Sequence, residues 1–312
     1  MRHFMRKYLL AGLAALVLPA SAFGQDAEVP ATPNGIVDAA PAADWVPIEQ
    51  RDLLVMDLAP GPSGKVRRVV IQLIDAPYVQ GWVGNIRALA AQHWYDGLAI
   101  VRTQDNYVVQ WGDPDGEDPK KAKPLPEGLR IMTEDDYAVP AAGSEIDAST
   151  RLLRDAYASL AGFDHGWPVA TDGKSVWPVH CYGSVGVGRD LSPDTGTGGE
   201  LYAVIGQAPR QLDRNIAVVG RVIEGMEHLS ALPRGTGPIG FYATPQERTP
   251  IVSVRTGEAL TDLPRYEYLS TSSASFAAYL DKRANRSDAF YIHPAGGVDV
   301  CNVPVPARRA AR

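Results

Sequence analysis

The chain has 312 residues, of which 45% are hydrophobic, and 30 Lys and Arg stand against 36 Asp and Glu, a formal net charge of −6 at pH 7. This acidic balance argues against nucleic acid or an anionic membrane surface as a partner. After the first 24 residues no stretch is apolar for long enough to cross a membrane, so we expect a soluble mature protein.

The first 24 residues have the pattern of a secretory signal peptide. Three basic residues lie within the first seven, an apolar stretch runs from Tyr8 to Leu18, and small residues follow up to Ala22. The apolar stretch is too short to span a bilayer as a helix. We expect cleavage after Ala22 or Gly24 and a periplasmic or secreted protein. The first 24 residues hold three Lys or Arg and no Asp or Glu, so the mature charge is 27 minus 36, or −9.

The next segments predict a leader, a hairpin and a helix. Residues 25–44 are rich in Ala, Pro and Asp without periodicity, which predicts a flexible leader. The runs 51–59 and 66–74 flank a Pro- and Gly-rich turn and predict a β-hairpin. Residues 79–92 carry apolar side chains at spacings of three and four, which predicts an amphipathic helix.

Two β-branched runs at 98–102 and 106–111 predict consecutive strands. Alternation should place the side chains of the second run on two faces, Tyr107 and Val109 on one and Val108 and Gln110 on the other. Arg102 should reach in from the neighbouring strand. A guanidinium beside an apolar wall can donate hydrogen bonds to a carbonyl or to an amide nitrogen that is losing its resonance. That chemistry suits prolyl isomerisation.

A long insertion, residues 124–182, follows a polar loop. Leu152, Leu153, Ala156 and Leu160 have helical spacing, so we expect a helix over 148–161 and a partly helical insertion. Further elements are expected later in the chain: strands at 183–188, 201–205, 216–222 and 250–256, a helix at 225–232, and a helix at 274–286 within a C-terminal extension, 259–312. Short strands and 55 Gly and Pro residues point to a closed antiparallel barrel with long loops.

Two cysteines, Cys181 and Cys301, are present. In an oxidising compartment a single disulfide between them is the natural interpretation, and it would tie the C-terminal extension to the body of the protein. Two buried free thiols are the alternative, because sequence does not show whether the two Cα atoms come close enough.

The segment Ala99–Asp113, AIVRTQDNYVVQWGD, resembles the central motif of the cyclophilin-type peptidyl-prolyl isomerases, F-H-R-V-I-x-x-F-M-x-Q-G-G-D. Residues 66–89 resemble the first hairpin and helix of that family, and residues 212–226 resemble its late L-D-x-x-x-V-F-G-x-V-x-E-G-M run. The resemblance implies a mainly β protein, a closed eight-stranded antiparallel barrel capped by two helices. The cyclophilin-like domain would span residues 45–258, and the resemblance covers the insertion poorly.

The resemblance also implies a site. Arg102 matches the family's arginine and would be the catalytic donor, with Gln110 as its orienting partner. The socket for the proline ring would consist of Tyr107, Val108, Tyr202 and Leu212. Four positions depart from the family pattern: Ile216 stands for a histidine, Gln211 for a tryptophan, Arg189 for an asparagine and Glu200 for a glutamine. Arg189 and Glu200 carry opposite charges, so we expect them to form a compensated pair on the rim.

Two functions remain open at this stage. The first is a peptidyl-prolyl cis-trans isomerase that acts on proline-containing polypeptides during the folding of exported proteins. The second is a non-catalytic peptide-binding or assembly protein of the periplasm that keeps the barrel. Arg102, Tyr107 and Gln110 favour the enzyme, whereas the four departures favour the binder. We expect a monomer without a cofactor, and no metal site, because the histidines lack metal-ligand spacing.

Overall fold

The computed structural model describes residues 32–61, 64–141 and 153–311. The predicted signal peptide lies outside the described residues. The strands, in chain order, are β1 (Trp45–Ile48), β2 (Leu53–Leu58), β3 (Arg67–Leu73), β4 (Ala99–Thr103), β5 (Val108–Gly112), β6 (Val139–Pro140), β7 (Leu160–Asp164), β8 (Trp167–Thr171), β9 (Ser175–Pro178), β10 (Ser184–Val187), β11 (Leu201–Val204), β12 (Val218–Glu224), β13 (Thr249–Thr256), β14 (Tyr266–Leu269) and β15 (Ala307–Arg309). The α-helices are α1 (Pro33–Asp38), α2 (Gln80–Ala91), α3 (Met226–Ser230) and α4 (Ala274–Ala284).

Eight of these strands close into an antiparallel barrel, in the order β10-β11-β5-β4-β13-β2-β3-β12. Alternate residues of the strands point inward, and Met56, Ile71 and Leu201 are among those that fill the main core. The apolar face of α2, including Trp82 and Ile86, packs on the same core, as does Leu229 of α3. The predicted eight-stranded barrel with two capping helices is therefore confirmed.

A second hydrophobic core lies outside the barrel interior. It is built from three separate parts of the chain: the segment before the barrel, the insertion and the C-terminal extension. We call it the second core, and its large members include Trp45, Phe163, Trp177, Leu269 and Phe276. Two small antiparallel sheets support it, one in the order β6-β9-β8-β7 and one in the order β1-β14-β15. The helix predicted at 274–286 is present as α4.

The insertion forms a sheet where we expected a helix. Leu153 makes a β-bridge with Ala161, and the described part of the predicted helix, 153–161, is not helical. Residues 148–152 lie outside the described residues. The physical reason is a hairpin: β7 pairs with β8 through the two-residue turn His165-Gly166, whose φ angles of 48° and 83° are both positive. Such turns match the twist of antiparallel strands, and this pairing overrides the helical spacing.

Part of the segment expected as a flexible leader is folded. The helix α1 begins at Pro33, and the Thr32 side chain accepts a hydrogen bond from the Gly35 amide (3.0 Å). Ile36 and Val37 pack against the second core. Burial of these apolar side chains explains the difference, because composition alone does not show a partner surface elsewhere in the chain.

Cys181 and Cys301 form a disulfide, with Cα atoms 5.0 Å apart. This confirms the predicted bridge. It joins the end of the insertion to the C-terminal extension across 120 residues of sequence.

Candidate active site

The predicted site lies on the outer face of the barrel. Along β5, Val109 and Trp111 point into the main core, whereas Val108 points outward. On the neighbouring strand β11, the side chains of Tyr202 and Val204 also point outward. These outward side chains form a small apolar cluster together with Tyr107 and Ile216. We call this cluster the outer cluster; its members are Tyr107, Val108, Tyr202, Val204 and Ile216.

Tyr107 was expected to share a face with Val109, and this expectation is wrong. Tyr107 lies in the turn before β5, where Asn106 has a φ of 50° and the Tyr107 amide donates to the Gln104 carbonyl (3.3 Å). Strand alternation does not apply to a residue in a turn. The ring consequently packs on the outer cluster, on the side of the site.

Arg102 lies on β4 directly opposite Gln110 of β5. Its Nη1 donates to Gln110 Oε1 (3.1 Å), its Nε donates to the Ile239 carbonyl (2.8 Å), and its Nη2 donates to the side chain of Gln104. The guanidinium carbon lies 5.5 Å from the centre of the Tyr107 ring and 5.3 Å from that of Phe241. The structure thus brings together the arginine, the glutamine and the first aromatic residue of the predicted site.

Burial shifts the pKa values of two charged groups in this site. It lowers the pKa of Arg102, although a guanidinium stays protonated at neutral pH. Burial also raises the pKa of Glu200, whose carboxylate accepts a hydrogen bond from the Gln110 amide. Arg102, Gln110 and Glu200 therefore form a continuous polar chain, and the side-chain orientation of Gln110 is fixed from both ends.

The expected pair of Arg189 and Glu200 does not form. The Arg189 side chain donates to two backbone carbonyls, those of Asn215 (2.9 Å) and Asp190 (2.6 Å), while Glu200 bonds to Gln110. Both residues do line one groove beside the site, of about 440 Å³. Backbone carbonyls accept the hydrogen bonds of the Arg189 guanidinium. The charges of the residues in the sequence do not reveal backbone partners of this kind.

Leu212 is less central than the resemblance implied. It is half-buried at the end of a short 3₁₀ turn, and its carbonyl accepts from the Ile216 amide (3.1 Å). Its side chain does not belong to the outer cluster. Ile216, which stands in place of the family's histidine, does belong to it and makes that wall apolar.

Sequence reasoning missed a buried polar chain behind Tyr202, which we call the His180 network. His180 Nε2 lies 2.8 Å from the Tyr202 hydroxyl, and His180 Nδ1 lies 2.9 Å from Asp213 Oδ1. Arg210 bonds Asp213 through Nε (2.6 Å) and binds both carboxylate oxygens of Asp155 (2.7 and 3.1 Å). The only sequence signals were a histidine beside Cys181 and an aspartate inside the L-D run.

Within residues 32–61, 64–141 and 153–311, no three His, Cys, Asp or Glu side chains are grouped so that they could hold a metal ion. Over the same ranges, no helix is long and apolar enough to cross a membrane.

A closed eight-stranded barrel with an arginine, a glutamine and an apolar cluster on its outer face has the architecture of a prolyl isomerase. The family model described as cyclophilin type peptidyl-prolyl cis-trans isomerase/CLD matches residues 68–256. The match covers more than half of the chain, and the chain belongs to this family.

Solved structures with the same fold include the cyclophilin AquaCyp293 from Hirschia baltica. It is 19% identical, with a TM-score of 0.61 over 85% of this chain and 92% of that one. A cyclophilin-type peptidyl-prolyl cis-trans isomerase from Cryptosporidium parvum is 13% identical, with a TM-score of 0.40 over 65% of this chain and 96% of that one. A structure of that isomerase in the presence of the dipeptide Ala-Pro is 14% identical, with a TM-score of 0.39 over 65% and 98%. No curated protein matches the chain.

Proposed function

We propose that this enzyme isomerises X-Pro bonds in exported polypeptides and that Arg102 is its catalytic donor. One observation carries the assignment to Arg102: its guanidinium is half-buried on the outer face, held by Gln110 and next to the outer cluster. The proline ring of a substrate would rest on the half-buried ring of Tyr107 and on the small exposed parts of Tyr202 and Val108, which are 4% and 2% exposed.

Rotation about an X-Pro bond costs about 18–20 kcal/mol because amide resonance must be broken. No covalent bond is made or cleaved, so the catalyst must bind the twisted amide more tightly than either planar form. The imide nitrogen gains a lone pair as it becomes pyramidal, and a guanidinium N–H can donate to it. Among the described residues, three of the five N–H groups of Arg102 have protein acceptors, which leaves two donors for the substrate.

Partial burial makes this donor more effective. A positive charge in a site with little water interacts more strongly with developing negative charge than the same charge in bulk water. Water also stabilises the planar amide by bonding its carbonyl, so excluding it favours the twisted form. The lowered pKa of Arg102 records this desolvation.

The proposed compartment rests on the sequence and on one covalent feature. Residues 1–24 have the pattern of a signal peptide, and Cys181 is bridged to Cys301. Disulfides persist in exported proteins and are rare in the cytosol. Expression of the full chain in a bacterium, followed by N-terminal sequencing of the periplasmic fraction, tests this part. A new N-terminus after Ala22 or Gly24 supports export, and an unprocessed cytosolic chain contradicts it.

The activity itself is tested with a short peptide that contains one Ala-Pro bond. Wild type should accelerate isomerisation, and Arg102→Ala should lower kcat/KM by about ten-fold or more, since a transition-state contact is lost. Arg234→Ala is the matched control: this arginine is also near the end of β4 through its bond to Asp105, but it is exposed and does not contact the outer cluster. Wild type without activity would contradict the proposal.

A second function, non-catalytic peptide binding, is favoured by one observation. The Nε of Arg102 is already held by the Ile239 carbonyl, and Phe241 covers the guanidinium from the same loop. If the loop does not yield to substrate, the groove would still hold a peptide without twisting its amide. Saturable peptide binding by an inactive wild type is the result that would assign this function.

A further inference from the structure

The His180 network connects the insertion to the proposed proline socket. His180 and Asp155 belong to the insertion, whereas Tyr202 belongs to barrel strand β11. His180 is fully buried, and the side chains of Arg210 and Asp155 are 2% and 1% exposed. Groups of this kind are buried only with partners, because an unpaired buried charge is costly.

The hydrogen-bond partners in the His180 network determine which atoms carry the protons. Asp213 is ion-paired with Arg210, so its carboxylate can only accept, and it accepts from His180 Nδ1–H. In the neutral imidazole this leaves Nε2 as an acceptor for the Tyr202 O–H. Burial raises the pKa of Tyr202 well above its usual value, so the phenol keeps the proton that it donates.

Two further features fix the Tyr202 ring. The His180 and Tyr202 rings are nearly parallel, 8° apart. Gly186 lies on the neighbouring strand β10 opposite Tyr202, and a Cβ atom there would overlap the Tyr202 hydroxyl. The ring is therefore held at its backbone end by β11 and at its hydroxyl end by His180. The hydroxyl occupies space that is free only because Gly186 has no Cβ atom.

We propose that His180, oriented by Asp213, is a positioning residue for substrate binding: it fixes the Tyr202 hydroxyl and so the ring face against which the substrate's proline packs. Arg210 and Asp155 anchor Asp213 to the insertion. The insertion thus serves the site of the barrel through one hydrogen bond. This inference rests on the proposed function, in which Tyr202 is part of the proline socket.

Two substitutions at position 180 separate the two ring nitrogens. The amide of asparagine reaches about as far as Nδ1, so His180→Asn retains a partner for Asp213 and loses the bond to Tyr202. The amide of glutamine reaches about as far as Nε2, so His180→Gln retains the bond to Tyr202. Tyr202→Phe removes the hydroxyl and keeps the ring.

Kinetics on the Ala-Pro peptide test the proposal. His180→Asn should raise KM about two- to ten-fold, the effect of one hydrogen bond, with kcat nearly unchanged because the ring contacts planar and twisted forms alike. His180→Gln should be closer to wild type. In a Tyr202→Phe background, His180→Asn should cause no further loss. An equal loss in both backgrounds would show a general structural role and overturn the proposal.

Control and independent measurements complete the test. His165→Ala is the matched control, because this histidine also bonds a carboxylate of the insertion, Asp164, whose other partner is Tyr78. Nitrogen NMR of the His180 ring should show an unprotonated Nε2 that shifts on Tyr202→Phe. A protonated or unresponsive Nε2 would overturn the proposal even if position-180 variants do not fold. NMR and peptide-binding titrations need no turnover, so they test the role of His180 even if the wild type is inactive. Failure of this proposal can therefore be distinguished from failure of the proposed isomerase activity.

Discussion

The barrel and the second core hold together in different ways. In the barrel each strand bonds two neighbours: three pairs of consecutive strands (β2-β3, β4-β5 and β10-β11) are joined through β12 and β13 into one closed sheet, and α2 packs on its core. The second core has no closed sheet; Phe163 of the insertion and Phe276 of the C-terminal extension meet with ring centres 4.9 Å apart, far from each other in sequence. The Cys181–Cys301 disulfide fastens these same two parts of the chain.

The barrel and the added region contribute different residues to the candidate site. The barrel positions Arg102 and Gln110 opposite each other on adjacent strands. The second core and the insertion instead deliver His180 to Tyr202. In the proposed mechanism the barrel supplies the catalytic groups, and the added region would hold one wall of the socket in place.

The second core should be sensitive to loss of its central aromatic contact. Phe276 is fully buried and packs edge-on against Phe163, so Phe276→Ala should lower the free energy of unfolding by about 3–5 kcal/mol. Phe290→Ala is the matched control, since that ring is 84% exposed in the same extension and should cost little. Chemical denaturation measures both. A loss below about 1 kcal/mol at Phe276 would mean that the second core does not support the fold.

Removing the disulfide should weaken the same region. The bridge closes a loop of 120 residues, and its loss should cost about 2–5 kcal/mol, largely by freeing the unfolded chain. Unfolding midpoints with and without reductant give the effect, and a double variant, Cys181→Ser with Cys301→Ser, should no longer respond to reductant. Identical midpoints for wild type under both conditions would show that packing alone holds the extension.

A smaller, pH-dependent effect should come from the contact of the extension with the barrel. Glu224 at the end of β12 accepts hydrogen bonds from Arg309 Nε (2.8 Å) and from the Tyr266 hydroxyl (3.0 Å), and the bond from Arg309 is the main reason that the pKa of Glu224 is lowered from 4.5. A lowered folded-state pKa means that the stabilisation is complete above about pH 4.5 and is lost as the pH falls.

Its size should not exceed about 1 kcal/mol, because the pair is open to solvent, with the side chains of Arg309 and Glu224 61% and 32% exposed. The stability difference between wild type and Glu224→Gln, measured by denaturation, should therefore be largest near neutral pH and shrink toward pH 3. A difference that stays constant with pH would show that ionisation of Glu224 contributes nothing to holding the extension.

The sequence predicted the barrel better than the regions around it. Alternation and hairpin turns are local signals, so the strands and α2 could be placed, and the family resemblance paired Arg102 with Gln110, which lie opposite each other in the structure. The insertion was misassigned because its strands are set by pairing; the adjacent residues His165 and Gly166, which adopt a turn with two positive φ angles, were the available signal.

The His180 network could not be predicted for a related reason. Its members come from four places in the chain, and each has a common alternative role as a surface charge or turn residue. Only the folded insertion brings His180 within 2.8 Å of Tyr202. The predicted ion pair between Arg189 and Glu200 is absent because the Arg189 guanidinium donates instead to nearby backbone carbonyls.

The central claim is that Arg102 acts on the twisted amide and not on binding of the ground state. Exchange NMR on an Ala-Pro peptide measures both quantities, the dissociation constant and the rate of cis–trans exchange on the saturated protein. We expect Arg102→Ala to lower the exchange rate by about ten-fold or more while the dissociation constant changes by no more than about three-fold. Exchange on the saturated Arg102→Ala protein as fast as on wild type would contradict the account.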